Sequence, residues 1–141
     1  MLRQKIGTRY WLIIMHSEYN KNEPYVTRDG SLIRELMHPD KHGNAAQSLA
    51  EAMVAPGQCT QPHYHKISEE LYHITAGGGE MMLGDDTFPI RSGDTVCIRP
   101  GVVHSVRNTG ANVLHILCCC APAYSHDDTV LVETEVEAPS P

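Results

Sequence analysis

The chain has 141 residues, enough for one domain with a single buried core, and a formal net charge of −6 with scattered lysines and arginines. This balance argues against a surface for nucleic acid or anionic membrane, because both require clustered positive charge. The apolar patch from Trp11 to Met15 is too short for a membrane span or a signal-peptide core. We therefore expect a cytoplasmic protein without a nucleic-acid or membrane partner.

Residues 1–24 are predicted to form an N-terminal arm ahead of the main domain. Basic residues and the apolar YWLII patch precede Met15, and a polar segment follows it. We interpret Met15 as the natural start, with the preceding residues being either an over-long gene prediction or a frayed arm. An ordinary N-terminal strand is the alternative interpretation.

Residues 25–130 are predicted to form one all-β domain, because short apolar runs alternate with turn residues throughout this range. The RDG turn at 28–30 precedes the alternating run SLIRELM, and HPDKHGN at 38–44 is expected to be a loop. The run SLAEAMV at 48–54 has helical propensity, but it is short and ends at APG, so we interpret it as a strand. Further strand-like runs lie at 61–65, 71–75, 80–83, 88–90, 95–98, 104–107 and 113–119. The acidic, proline-ended residues 131–141 are expected to form a disordered tail.

The stretch from Gly57 to Gly77 contains the most informative side chains. On a strand, residues two apart share a face, so His63 and His65 project together. Glu70 can join them if it starts the partner strand of a hairpin, and its parity then turns Tyr72 inward. His104 begins a later strand and can point across the barrel.

These four side chains predict a mononuclear metal site with the ligands His63, His65, Glu70 and His104. Neutral imidazoles with one carboxylate suit a divalent transition-metal ion such as Fe, Mn, Co, Ni, Cu or Zn, and an octahedral ion would keep two open positions. Glu69 competes with Glu70 for the carboxylate role. By strand parity, Glu69 faces solvent when Glu70 faces the site.

The two stretches resemble the paired motifs of the cupin superfamily. The first motif is Gly, five residues, His-x-His, four residues, Glu, six residues, Gly, and the residues from Gly57 to Gly77 occupy every fixed place. In the second motif Gly93, Gly101, His104 and Asn108 match, but Arg99 stands where proline is usual, which puts the local turn in doubt. The flanks look like those of uncharacterised small single-domain cupins, with DGS-x-IREL before the motifs and CCCAP-x-YSH-x-DT after them.

The resemblance implies a double-stranded β-helix, a small jelly-roll-like barrel, that binds metal. It also implies several possible activities. Our first hypothesis is a small metal-dependent enzyme, an oxygenase or an isomerase or lyase, acting on a small polar metabolite. Tyr72 is the candidate catalytic residue, and a packed core tyrosine is the alternative. The second hypothesis is a non-enzymatic module in which the metal holds a carbohydrate or an organic acid. Analogy with small cupins suggests a homodimer.

The C-terminal part of the domain leaves two questions open. Because the last expected strand alternates its faces, one or two of the residues Cys118, Cys119 and Cys120 must face the interior, either as small apolar groups or as a thiolate ligand. The segment APAYSHDDT that follows either folds over the barrel mouth, with Tyr124 or His126 reaching the pocket, or forms a surface arm. We favour the surface arm.

Overall fold

The protein is described by a computed structural model, which covers the backbone of residues 3–6 and 10–133 and the side chains of residues 14–133. Within these residues most elements are strands, with one short α-helix, α1 (Pro39–His42), and a 3-10 turn at Tyr19–Lys21. The strands are β1 (Arg3–Ile6), β2 (Tyr10–Ile13), β3 (Tyr25–Val26), β4 (Leu32–Met37), β5 (Ser48–Val54), β6 (His63–His65), β7 (Glu69–Ala76), β8 (Gly78–Leu83), β9 (Asp86–Arg91), β10 (Thr95–Ile98), β11 (His104–Asn108), β12 (Leu114–Ala121) and β13 (Thr129–Leu131).

Two antiparallel sheets form the barrel. One has the order β10-β7-β12-β5-β4-β3 and the other has the order β13-β6-β11-β8-β9, while β1 and β2 pair separately. The core lies between the two sheets: Ile74 and Ile116 from the first pack in one buried cluster with Met81 and Val106 from the second. The predicted fold, an all-β double-stranded β-helix, is confirmed.

Alternation in the sequence explains which side chains enter this core. Every second residue of β5 is buried, from Ser48 to Val54, and β12 shows the same period. The run at 48–54 is a strand, as predicted, although its residues favour helix. It pairs with β4 on one side and β12 on the other, so tertiary pairing overrides local propensity.

The two sequence motifs meet at a turn whose formation does not need the usual proline. Gly101 adopts a φ of 80°, which favours glycine, and its N–H donates to the carbonyl of His65 at 2.7 Å. The N–H of Val102 donates to the carbonyl of Arg99 at 3.2 Å. The turn therefore closes with Arg99 in place of proline.

The structure differs from the sequence expectations at three places. The expected loop at 38–44 contains α1, which begins after His38, whose side chain accepts from the N–H of Asp40, and ends at Gly43 with φ of 81°. Leu131 belongs to β13 and the N–H of Val132 donates to the carbonyl of Pro62, so these residues join the barrel although the sequence placed them in the tail. Within the predicted arm of residues 1–24, the Tyr19 hydroxyl donates a hydrogen bond to Glu51 on β5, so Tyr19 contacts the main domain.

Residues 134–141 of the predicted tail lie outside the described residues. In the part of the chain that is described, no helix is long and apolar enough to cross a membrane.

Candidate metal centre

Three strands bring the four predicted ligands together. His63 and His65 project from β6, and His104 projects from the neighbouring β11 directly opposite His63. Glu70 reaches the same point from β7 in the other sheet. All four side chains are buried, and one ligand atom from each lies within 4.8 Å of the others. Glu69, by contrast, is exposed, as its parity predicts.

Hydrogen bonds to the outer ring nitrogens fix how each imidazole is oriented. The Nδ1 atoms of His63 and His104 donate to the carbonyls of Gln61 and Val102 at 2.9 and 3.0 Å, because a carbonyl oxygen can only accept. Each Nε2 therefore carries a lone pair that faces the centre of the group.

Thr129 orients the third imidazole in the same way. Its hydroxyl donates to the carbonyl of Ser125 at 2.9 Å, so its oxygen accepts from Nδ1 of His65 at 3.1 Å. The Nε2 lone pair of His65 is thereby directed inward too. Fixing ring orientation and tautomer by such an outer hydrogen bond is typical of histidines that bind metals.

Two of the inward-facing nitrogens lie against the same oxygen of Glu70. Nε2 of His65 lies 2.9 Å from Oε2 of Glu70, and Nε2 of His104 lies 3.4 Å from the same oxygen. Nε2 of His104 is buried and has no hydrogen-bond partner among the described residues. Lone pairs that face a carboxylate at these distances require a proton or a cation between them. The donor set therefore fits a divalent metal ion.

The protonation states suit metal binding as well. Burial raises the pKa of Glu70, but the imidazoles of His104 and His65, whose Nε2 atoms lie 3.4 and 2.9 Å from Oε2, lower it more strongly, to about 2. Burial lowers the pKa of His63, and the neighbouring His104 lowers it further. An ionised carboxylate beside a neutral imidazole is the state in which these groups ligate a transition metal.

Tyr72 faces the same interior, as its parity with Glu70 predicts. It is buried, and its ring meets the His104 ring edge-on at a centroid distance of 5.7 Å. Burial raises its pKa well above the usual range, and the charge of Glu70 raises it further. Its hydroxyl is therefore protonated at neutral pH and available as a hydrogen-bond donor.

A cavity of about 50 Å³ is lined by three of the four proposed ligands, His63, His65 and Glu70, and Tyr72 also lines it. Further polar residues that were not expected from the sequence also line this cavity, among them Tyr25, Asp29 and Glu35. The alternation along SLIRELM indicates Glu35, because it is two residues from the apolar Ile33 and therefore lies on the same strand face.

The C-terminal segment covers the mouth of the barrel, so the favoured interpretation of a surface arm is wrong. The ring of Tyr124 lies 5.8 Å from that of His65, edge-on, and its hydroxyl contacts Nδ1 of His126 at 3.1 Å. On the outer side, Tyr124 and His126 help to line a second cavity of about 510 Å³. The segment is held there because β13 pairs with β6.

Two of the three consecutive cysteines face the interior. Cys118 and Cys120 are buried, whereas Cys119 is not fully buried. Burial raises the pKa of both buried thiols, and the charge of Glu70 raises them further. They are therefore protonated, and neither belongs to the group of four potential ligands.

Comparisons with known proteins agree with this geometry. Residues 50–120 match the family described as Cupin domain. The chain is 48% identical to the uncharacterised protein MJ1618 of Methanocaldococcus jannaschii over 85% of this chain and 96% of that protein. It is 34% identical to the protein SchB of Streptomyces halstedii over 77% and 78% of the two chains. The structure of Streptomyces Pac13, described as a nucleoside dehydratase, superposes with a TM-score of 0.68 at 18% identity, covering 94% of this chain and 100% of that one. The chain belongs to the cupin family.

Proposed function

We propose that the protein is a metal-dependent enzyme that moves protons on a small polar metabolite, as an isomerase or a lyase does. The observation that carries the proposal is the buried group of three imidazoles and Glu70, in which the Nε2 atoms of His65 and His104 face Oε2 of Glu70, beside a cavity that also receives Tyr72. The proposed ligands are His63, His65, Glu70 and His104.

A bound divalent transition-metal ion would supply Lewis-acid polarisation of an oxygen on the substrate. Among the protein's own residues, Glu70 supplies negative charge to the site, because it is the one anionic member of the four potential ligands. The apolar walls, which include Val54, Val106 and Ile116, keep bulk water away from the reacting group.

Tyr72 is the proposed catalytic residue. Its raised pKa makes the hydroxyl a hydrogen-bond donor and not a base at neutral pH. Among residues 14–133 this hydroxyl has no hydrogen-bond partner, so it is available to a substrate oxygen in the cavity. A donor at this position would stabilise negative charge that develops on that oxygen.

Two features favour proton transfer over oxygen chemistry. The cavity contains a further carboxylate near the metal group, that of Asp29, whose Oδ2 lies 3.9 Å from Nδ1 of His63 and which can accept a proton. Pac13, which shares the fold, is described as a nucleoside dehydratase, and dehydration belongs to the lyase class of reactions.

The test begins with elemental analysis of the purified protein, for which we expect about one transition-metal ion per chain. His104→Ala should remove this metal, whereas His73→Ala should not, because His73 is exposed on the outer face of β7. Stoichiometric metal in the His104→Ala variant would contradict the proposed ligand set.

The reaction class is tested by incubating metal-loaded protein with pooled metabolites in D2O and recording NMR spectra together with oxygen uptake. An isomerase or lyase should incorporate deuterium into a metabolite without consuming oxygen. Oxygen uptake would indicate an oxygenase instead. Binding of a carbohydrate or organic acid without turnover would indicate a non-enzymatic binding module.

A further inference from the structure

Glu35 is a buried carboxylate in the same cavity and is only partly hydrogen-bonded. It lies on the inner face of β4 and is 5% exposed. The Tyr25 hydroxyl donates to Oε1 at 2.9 Å, but Oε2 is buried and has no hydrogen-bond partner among residues 14–133. Burying an unpaired carboxylate oxygen costs free energy, so such an atom usually receives a donor in the working state of a protein.

The other carboxylate outside the metal group, Asp29, differs in this respect. Its Oδ1 accepts from both the backbone N–H and the hydroxyl of Ser31, at 2.9 and 2.6 Å. Asp29 is thus held by its own turn, whereas Glu35 lines the cavity with one carboxylate oxygen unpaired. Tyr25 supports this role, because burial and the charge of Glu35 raise its pKa and keep its hydroxyl a donor to Oε1.

Strand register places Glu35 and the metal group at opposite ends of the cavity. Glu35 lies opposite Ala50, Ala50 lies opposite Cys118, and Cys118 lies opposite Tyr72. Three steps of this ladder separate the Cα atoms of Glu35 and Tyr72 by roughly 14 Å along the sheet. A ligand that contacts both ends must therefore be a chain of several atoms with polar groups at both ends.

The charges around the cavity restrict what such a ligand can be. Three carboxylates line it, those of Asp29, Glu35 and Glu70, against one guanidinium, that of Arg28. The Arg28 group donates to the carbonyls of His126 and Thr129, so it is already engaged. With a divalent ion the formal charges balance, and a dianionic ligand would add uncompensated negative charge in a buried place.

We infer that Glu35 is a ligand-binding residue that accepts a hydrogen bond from a hydroxyl group of an uncharged polyhydroxylated substrate, whose other end lies at the metal group beside Tyr72. The inference rests on the proposed function, because it takes the metal group as the second anchor. It deepens that function by naming the substrate class: neutral hydroxyl-bearing carbonyl compounds are selected over dicarboxylates.

The test measures binding by isothermal titration calorimetry to metal-loaded protein, with metal content determined on the same samples. D-ribulose is the neutral probe, and 2-oxoglutarate is a dianionic probe with the same carbon-chain length. We expect wild type to bind D-ribulose more tightly than 2-oxoglutarate, and Glu35→Gln to bind D-ribulose about tenfold more weakly, because the amide offers a poorer acceptor.

Glu51→Gln is the matched control, since Glu51 lies on β5 and hydrogen-bonds the Tyr19 hydroxyl outside the cavity. It should bind D-ribulose as wild type does. Tyr25→Phe is a second variant that keeps the Glu35 carboxylate but removes the donor that orients it. It should also weaken binding, and it carries the test if Glu35→Gln does not fold.

The outcomes separate the two proposals. Full metal content with unchanged D-ribulose binding in both variants, no D-ribulose binding by wild type, or tighter binding of 2-oxoglutarate would overturn the inference about Glu35. Wild-type protein that holds no stoichiometric metal would overturn the proposed function instead.

Discussion

Glu69 and Glu70 are neighbours in the chain but have opposite environments. Glu69 faces solvent, whereas Glu70 is 5% exposed beside the imidazoles of His65 and His104. We predict that Glu70→Gln weakens metal binding by about a hundredfold, because it removes the one negative ligand of the group, a change within the range seen when metal sites lose a supporting group. Glu69→Gln is the matched control and should leave the affinity unchanged. Competition with a metal chelator measures both affinities, and equal losses in the two variants would show that Glu70 is not a ligand.

Tyr72 allows the hydroxyl and the ring to be separated. Tyr72→Phe retains the ring that packs against His104 and deletes only the hydroxyl. If the hydroxyl stabilises charge on the substrate, turnover should fall by roughly a hundredfold, in the range known for the loss of one donor from an oxyanion site. Metal content and thermal stability should stay near the wild-type values. Unchanged turnover on an identified substrate would return Tyr72 to a packing role.

Sequence reasoning at the residue scale succeeded where strand parity applies and failed where side chains meet across loops. Parity alone places Tyr72 inward and Glu69 outward. It could not show that Thr129 orients His65, because they are far apart in the chain and meet only through the pairing of β13 with β6. Tyr124 was assigned to a surface arm for the same reason.

Strands β8 and β11 show how close backbone packing supports the site. A Cβ atom at Gly79 would lie 2.2 Å from the carbonyl oxygen of Arg107 on β11, the strand that begins with His104. We predict that Gly79→Ala destabilises the protein by about 1–3 kcal/mol, since the two strands must separate. It should also weaken metal binding by displacing His104.

Gly110→Ala is the control for this change, because the nearest atom to its added Cβ, Oδ1 of Asn108, lies at an ordinary 3.5 Å. Urea unfolding measures both variants. Equal free energies of unfolding for Gly79→Ala and wild type would contradict the tight approach of β8 and β11.

At the scale of elements, most strands followed from alternation and turn residues. The runs at 48–54 and 95–98 coincide with β5 and β10. The helix α1 was not expected, because HPDKHGN has turn composition and its cap depends on the side chain of His38. Neither helix propensity nor hydrophobic periodicity can identify a helix of only 4 residues.

The edge of the larger sheet suggests how the whole molecule assembles. Strand β3 lies at the end of that sheet, and its Val26 side chain is 70% exposed. Exposed apolar groups on a strand edge favour association, so we predict a homodimer that Val26→Asp weakens. Val113→Asp, at a site that is 40% exposed and away from this edge, is the control. Light scattering checks the mass, and a monodisperse wild-type monomer would exclude the prediction.

For the whole molecule, the metal should add stability without being required for folding. The main apolar core contains Ile74, Met81 and Ile116 and lies between the sheets independently of the four ligands. Free metal at about a hundred times its dissociation constant should add roughly 2.7 kcal/mol, which for a domain of this size raises Tm by about 10 °C. A chelator should reverse this shift while leaving the circular dichroism spectrum that of a β protein.

The same metal effect should depend on pH in a defined direction. Because the imidazoles must be neutral to bind metal, the rise in Tm should be full at neutral pH and decline as acidification protonates them. Burial and the neighbouring His104 lower the pKa of His63, so its contribution to this loss comes at a lower pH than for an exposed imidazole. In metal-free protein, the lowered pKa of Glu70, about 2, contributes stability that is present above its unfolded value and is lost only as pH falls toward 2. Scanning calorimetry from pH 2 to pH 8, with and without metal, separates the two effects. A metal-induced rise in Tm that is as large at pH 4 as at pH 8, or that persists in the His104→Ala variant, would show that the ion is not held by these imidazoles.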